Sequence, residues 1–146
     1  MRPLPPLLVL ICLAAMAFLA LVAPGPVLIT APWTWLGAAV AVLGVSMAVA
    51  GARAFRRLGT NIKTFDDPDL LVTSGLFRVS RNPMYLGFLL LLAGAALLIG
   101  RATPILPVLA FFLAAQVWYI PFEERAMSRR FGSDYAAYRA KVRRWI

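Results

Sequence analysis

The residues of this sequence whose types could support chemistry lie in three short clusters. They are Leu71-Val72-Thr73-Ser74-Gly75-Leu76-Phe77-Arg78, Arg81-Asn82-Pro83-Met84-Tyr85-Leu86-Gly87, and Glu123-Glu124 followed by Phe131-Gly132, Tyr135 and Tyr138. Their guanidinium and carboxylate groups can bind an ionic ligand. The chain has no histidine, so any reaction here proceeds without an imidazole base. Its one cysteine can form neither an intrachain disulfide nor a thiolate metal site, and we predict no metal.

Each cluster, taken alone, also has an ordinary structural explanation. Arg81 lies beside an apolar segment and can simply bind lipid headgroups. Tyr85 can be an aromatic anchor at the membrane interface. The acidic pair can face water where a spanning helix ends. Only the joint occurrence of the three clusters therefore points to a function.

The composition predicts an integral membrane protein. Hydrophobic residues make up 62% of the 146 residues and charged residues 14%, against roughly 45–50% and about 25% in soluble domains. A domain this small cannot bury so much apolar surface in water. The net charge of +9 suggests nucleic-acid binding at first. However, the basic residues form two blocks, 53–81 and 125–144, each beside an apolar segment, which fits contact with membrane lipids and no nucleic-acid partner.

The apolar pattern predicts a single all-α domain over 1–146, with a four-helix transmembrane bundle and an amphipathic C-terminal helix on the cytoplasmic side. The spans are predicted at about 4–23, 33–52, 83–100 and 102–122, joined by a polar connection at 53–82 and followed by a tail at 123–146. The first segment has the alternative of a cleaved signal peptide, although such peptides have shorter apolar runs of about 7–15 residues. Proline at 107 and 121 can kink the fourth span.

Two finer patterns concern packing and the tail. Gly37, Gly44 and Gly51 recur every seven residues, so they share one face of the second helix. That face is either a ligand groove or, as we favour, a close contact with another helix. In the tail, Gly132 is predicted to stop a helix, and Tyr135, Tyr138 and Val142 share a face after it.

The distribution of charge predicts the orientation. The 24–32 connection is uncharged and the 100–103 connection contains only Arg101, which leaves 14 of the 15 Lys and Arg residues in the other polar regions. With four spans, both termini and the 53–82 connection then lie in the cytoplasm. The expected location is the inner membrane if the cell is bacterial. The spans have no ionisable Asp, Glu, Lys or Arg, which argues against a proton-driven transporter.

Together the three clusters resemble the isoprenylcysteine carboxyl methyltransferase and phospholipid methyltransferase superfamily. Its members show G-x-[YF]-R-x-x-R-[HN]-P-x-Y, then an E-E pair, then F-G-x-x-Y-x-x-Y. This chain matches with Gly75, Phe77, Arg78, Arg81, Asn82, Pro83 and Tyr85, and then with Glu123, Glu124, Phe131, Gly132, Tyr135 and Tyr138. The resemblance covers about residues 60–143.

The resemblance implies an S-adenosylmethionine-dependent enzyme with its cofactor at the cytoplasmic membrane face. Carried over by position, the cofactor-binding residues are Asp69, Leu70, Leu71, Val72, Phe77, Asn82, Pro83, Met84, Tyr85 and Glu123. The catalytic residues are Arg81, Asn82 and Glu124. In such a site Arg81 can pair with the cofactor carboxylate, and the two glutamates can accept hydrogen bonds from its ammonium or ribose. Phe77 and Tyr85 can stack on adenine or face the sulfonium.

The expected reaction is methyl transfer to the polar head of a lipid-like or prenylated acceptor. A carboxylate head is favoured because it is ionised at pH 7 and needs no base, whereas an amine would need Glu124 or a tyrosine as its base. Two departures from the family bear on the acceptor. Asn82 replaces the commoner histidine, and Tyr119, predicted to contact substrate, replaces an arginine of the eukaryotic carboxyl methyltransferases. The alternatives are phosphatidylethanolamine N-methylation and a non-catalytic membrane protein on the same scaffold.

Overall fold

The computed structural model describes residues 4–57 and 69–146, so residues 58–68 of the predicted connection lie outside the described part. The described part is all-α, as predicted. Its helices are α1 (Pro5–Val22), α2 (Leu36–Arg57), α3 (Pro83–Ile99), α4 (Ile105–Ala114) and α5 (Ile120–Lys141), with 3-10 turns at Trp33–Trp35 and Gly75–Arg78 and a π-helical turn at Ala115–Tyr119. Within the described ranges, the only β pairing is an isolated bridge between Val27 and Arg101.

Within residues 4–57 and 69–146, three helical stretches are long and apolar enough to cross a membrane. They are Pro5–Val22, Trp33–Arg57 and Ile105–Lys141. The fourth apolar helix, Pro83–Ile99, has 17 residues, which at about 1.5 Å each give roughly 26 Å, slightly less than a hydrocarbon core. The count of four spans therefore stays a prediction.

Several helix boundaries differ from the predicted ones, and two of the differences have a local cause. Helix α2 runs to Arg57 rather than to residue 52, because arginine is a good helix former and its charge favours a helix C-terminus. Helix α4 begins at Ile105 rather than at 102. The residues before it form hydrogen bonds with the loop after α1 instead. The Ala102 N–H donates to Pro26 O, and the Thr103 hydroxyl donates to Ala23 O.

Helix α3 is the centre of the bundle. One face of it packs with α1 and α4 in a core that includes Met16, Leu92 and Phe111. Another face packs along α2 in the antiparallel direction, since Gly37 lies against Gly94 and Gly51 lies against Met84. The neighbouring apolar helices thus alternate in direction, which places the end of α2, the start of α3 and the start of α5 at the same end of the bundle. We call this the charged end, because Arg101 is the only charged residue of the described ranges at the opposite end.

The glycines of α2 form a packing face. A Cβ added to Gly44 would lie 2.5 Å from the Gly87 carbonyl oxygen, and one added to Gly87 would lie 2.6 Å from the Gly44 carbonyl oxygen. The two backbones therefore touch, and no space for a ligand remains between them. Close packing, the favoured interpretation of the glycine repeat, is confirmed.

The path of the last helices is broken at two places. At the π-helical turn the Ile120 N–H donates to Ala115 O, five residues back instead of four, directly before Pro121, which has no N–H to donate. Pro107 produces no break, because it lies in the first turn of α4, where a missing N–H is harmless. The second break is at Gly132, with φ 47° and ψ −116°, as the predicted helix stop required.

We expect Gly44→Ala to lower the unfolding temperature by several degrees in detergent. The added methyl meets the α3 backbone, and such overpacking costs about 1–3 kcal/mol, although alanine is the better helix former. The matched control is Gly51→Ala, whose methyl meets Cγ of the unbranched Met84 side chain, which can change rotamer, rather than backbone. Equal unfolding temperatures for the two variants would contradict this account of the α2–α3 contact.

Candidate functional site

The second and third sequence clusters meet at the charged end of the bundle. The Tyr85 hydroxyl donates to Glu123 Oε1 at 2.8 Å, across 38 residues of sequence. Tyr85 is on the first turn of α3 and is buried, whereas Glu123 is on the first turn of α5 and is half-buried. A hydrogen bond from a neutral donor to a carboxylate fixes the position of that carboxylate strongly. Glu123 is therefore held at the boundary between the apolar core and the polar end.

Glu124 lies in a different environment from its neighbour. Its Oε1 is 3.0 Å from Arg81 Nη1, and its Oε2 is 2.6 Å from Arg144 Nη2. The Arg144 Nε also donates to Oε1 at 3.2 Å, so this pair is bidentate. The Glu124 and Arg81 side chains are only 11% and 10% exposed, where little water screens the charges. Glu124 thus anchors two arginines, and its role in catalysis stays a prediction.

The chain after α5 returns to the start of α3. The Arg81 N–H donates to Arg143 O at 3.0 Å. The Asn82 side-chain amide and the Ser80 hydroxyl both donate to Arg144 O, at 3.0 and 3.3 Å. The buried Asn82, predicted as a cofactor and catalytic residue, therefore uses its amide N–H on the C-terminal segment 142–146. Its backbone N–H donates to the Ser80 hydroxyl.

The same C-terminal segment also reaches into the bundle. The Trp145 indole N–H donates to Gln116 Oε1 at 3.0 Å, and its ring lies 5.5 Å from the ring of Phe112. Gln116 belongs to the π-helical turn. Sequence reasoning missed Ser80, Gln116, Arg144 and Trp145 as parts of this site. An amide in the middle of an apolar span was the available signal for Gln116.

The first cluster packs under the second half of α5. The Tyr138 hydroxyl donates to Phe77 O at 2.6 Å, and burial raises the pKa of Tyr138 to about 12. Burial also raises the pKa of Tyr135, which accepts a hydrogen bond from Arg81 Nη1 at 3.4 Å. Both phenols are thus neutral near pH 7. The Phe77 ring is buried edge-on against Phe55, at 5.2 Å, so its contact with a cofactor stays a prediction.

The remaining residues predicted to bind the cofactor differ in their exposure to solvent. Pro83 and Val72 are buried, Leu71 and Met84 are half-buried, and Asp69 and Leu70 are exposed. The structure therefore brings Pro83 and Met84 to the start of α3 beside Tyr85, while Asp69 and Leu70 face outward at the beginning of the described segment.

Tyr119, predicted to contact substrate, is fully buried in the π-helical turn. Its ring lies 6.1 Å from that of Tyr85 and 4.9 Å from that of the exposed Trp118. The buried Tyr119 ring therefore packs near the Tyr85 ring. A direct contact between Tyr119 and a substrate stays a prediction.

Comparison with known proteins links most of the chain to one family. A model of the family described as phospholipid methyltransferase matches residues 32–134. An uncharacterized protein of Haemophilus influenzae is 38% identical over 63 residues, which are 43% of this chain and 100% of that protein. No solved structure matches the chain.

Two plant proteins are also similar to the chain. Protein-S-isoprenylcysteine O-methyltransferase A of Arabidopsis thaliana is 32% identical over 100 residues, which are 64% of this chain and 47% of the plant protein. Protein-S-isoprenylcysteine O-methyltransferase B of the same plant is 32% identical over 77 residues, 49% of this chain and 36% of the plant protein. The chain thus spans less than half the length of these relatives.

We expect Glu124→Gln to destabilise the protein by about 3–5 kcal/mol, because it leaves the Arg81 charge nearly buried without its partner. Arg144→Gln should cost less, since the Arg144 side chain is 26% exposed. The unfolding temperature in detergent measures both effects. Arg143→Gln is the matched control, because Arg143 is exposed and contributes its backbone oxygen. A Glu124→Gln protein as stable as the control would refute the anchoring role.

Proposed function

Because this chain belongs to the phospholipid methyltransferase family, we propose that it is an S-adenosylmethionine-dependent methyltransferase acting on a lipid-like acceptor at the cytoplasmic membrane face. The observation that carries the proposal is the bond between Tyr85 and Glu123, beside the Arg81–Glu124 ion pair. These two contacts join the Arg-Asn-Pro-Met-Tyr cluster to the acidic pair at one end of an apolar bundle. Both clusters are ones that the resemblance assigns to the cofactor.

The groups at this end suit the polar groups of S-adenosylmethionine. The half-buried Glu123 carboxylate is fixed by Tyr85 and can accept a hydrogen bond from an ammonium or a ribose hydroxyl. Arg81 Nε is buried and has no hydrogen-bond partner among the described residues. Such an unpaired donor costs about 1–3 kcal/mol, which a ligand carboxylate or hydroxyl would relieve. When bound, the cofactor supplies a methyl group activated by a sulfonium, and the protein's residues supply position and surroundings.

The position of the site supports an acceptor that is part lipid and part polar. The site lies where α4 passes into α5, and the residues beside Tyr119 on the outer surface, Val117 and Trp118, are 72% and 41% exposed. In a membrane such apolar side chains face lipid. An acceptor with an apolar tail can therefore approach from the bilayer with its polar head at the level of Glu123. Because the charged end carries nearly all the described basic residues, the positive-inside rule favours the cytoplasmic side.

The available bases favour a carboxylate as the methyl acceptor. Both oxygens of Glu124 are engaged by arginines, and Tyr138, with a pKa of about 12, stays protonated. An amine acceptor must lose a proton before it can attack, whereas an ionised carboxylate attacks directly and its reaction is helped by the exclusion of water. Phospholipid N-methylation is the second candidate, and the description of the matching family favours it.

We expect Glu123→Gln to weaken S-adenosylmethionine binding at least tenfold, because the variant loses a charged acceptor, and tenfold corresponds to about 1.4 kcal/mol. Tyr85→Phe should weaken binding less, since it only loosens the carboxylate. Titration calorimetry on purified protein in detergent measures both. Asp134→Asn, an exposed carboxylate on the second half of α5, is the control. Unchanged affinity in a folded Glu123→Gln protein would remove the assignment.

The linkage of the transferred methyl group distinguishes the two acceptors. Membranes containing the protein are given methyl-labelled S-adenosylmethionine, and the lipid extract is treated with mild base. An O-methyl ester releases the label as methanol, whereas an N-methyl group keeps it. We expect release. Binding of S-adenosylmethionine without transfer of label to any lipid would instead favour a non-catalytic protein on the same scaffold.

A further inference from the structure

A concave surface lies along α5, and its lining includes neither Tyr85 nor Glu123. It is a groove of about 420 Å³ lined by Pro121, Glu124, Arg125, Ser128, Arg129 and Arg139. We call it the arginine groove. Half of its lining residues are arginines, so its chemistry is that of an anion site.

The break at Gly132 is what makes the arginine groove concave. Arg125 and Arg129 are one turn apart and share a face of the helix. Arg139 comes ten residues later, which on a straight helix would place it about 15 Å further along the axis from Arg129. The non-helical backbone of Gly132 turns the second half of α5, and Arg139 then lines the same groove as Arg125 and Arg129.

Among the described residues, no carboxylate forms an ion pair with the three arginines of the groove. In the described part of the chain, the ion pairs are those of Glu124 with Arg81 and Arg144, so the one carboxylate in the groove is already paired. Arg139 lies 5.9 Å from the centre of the Tyr135 ring, a contact that leaves its charge in place. The Ser128 hydroxyl donates to Glu124 O. Three like charges around one groove repel each other, and a bound anion would replace this repulsion with attraction.

The position of the groove along the helix axis places it within reach of lipid headgroups. Arg125 is 20 residues beyond Ile105, the start of α4, which corresponds to about 30 Å of helix, the thickness of a hydrocarbon core. The groove thus opens at the level where lipid headgroups lie. A guanidinium matches two oxygens of a phosphate at once, and three converging guanidiniums suit a tetrahedral anion better than a planar carboxylate.

We propose that the arginine groove is a binding site for a phosphate group, presented by the headgroup of an anionic phospholipid or by free phosphate. The groove shares Glu124 with the proposed cofactor site, but Arg125, Arg129 and Arg139, which would bind the phosphate, are not among the predicted cofactor or catalytic residues. It differs from general attraction of a basic surface to the membrane, because it assigns the binding to Arg125, Arg129 and Arg139. It excludes Arg130, the fourth arginine of α5.

The matched pair Arg129→Gln and Arg130→Gln tests this proposal. Both residues are exposed, adjacent and on α5, but only Arg129 lines the groove. General attraction to anionic lipid, which depends on the number of basic residues, would fall equally in the two variants. The probes, added to protein in neutral detergent, are dioctanoyl phosphatidylglycerol, dioctanoylglycerol as the phosphate-free analogue, and inorganic phosphate. The affinity of each probe is measured from the shift of the unfolding temperature.

We expect phosphatidylglycerol to bind wild type and Arg130→Gln with affinities within twofold of each other, and Arg129→Gln at least fivefold more weakly. Arg125→Gln should repeat the loss. Binding of phosphatidylglycerol without inorganic phosphate identifies a lipid headgroup as the source, and comparable binding of inorganic phosphate identifies the free ion. Equal losses in the two variants, or equal binding of dioctanoylglycerol, would overturn the proposal. Calorimetry with S-adenosylmethionine on the same variants separates this result from the proposed function.

Discussion

One carboxylate, that of Glu124, holds together three segments that are far apart in sequence. Arg81 comes from the approach to α3, Glu124 from the start of α5 and Arg144 from the end of the described chain. Removing such charges from water is expensive, and mutual pairing with good geometry is what offsets the penalty. Once the three are paired, the backbone of 142–146 is brought beside Ser80, Arg81 and Asn82, where it accepts their hydrogen bonds.

The two adjacent glutamates divide two tasks between them. Neighbouring residues on a helix point about 100° apart, so Glu124 faces the arginines and Glu123 faces Tyr85. The first arrangement fixes the start of α5 relative to α3. The second leaves a positioned, half-buried carboxylate at the charged end of the apolar bundle. In the proposed enzyme, the position of the Glu123 carboxylate, which would bind the ligand, thus depends on the ion pair between Glu124 and Arg81.

Three departures from regular helix geometry and packing bring the side chains of the charged end together. The glycines of α2 bring its backbone against that of α3 and thereby place Phe55 on Phe77. The π-helical turn before Pro121 changes which residues of the following helix face inward. Gly132 then turns the end of α5, so that Tyr135 and Tyr138 cover the approach to α3 and Arg139 joins the arginine groove.

Much of this was determined by the sequence alone, because it depends on local pattern. Apolar composition predicted membrane helices, the seven-residue glycine repeat predicted a packing face, and Gly132 predicted the helix stop. The tertiary structure alone decided which arginines pair with Glu124, because several basic residues in the tail are equivalent in sequence and only their distance in the folded chain distinguishes them. It also decided that 142–146 completes the charged end, since contacts across 60 or more residues leave no local pattern.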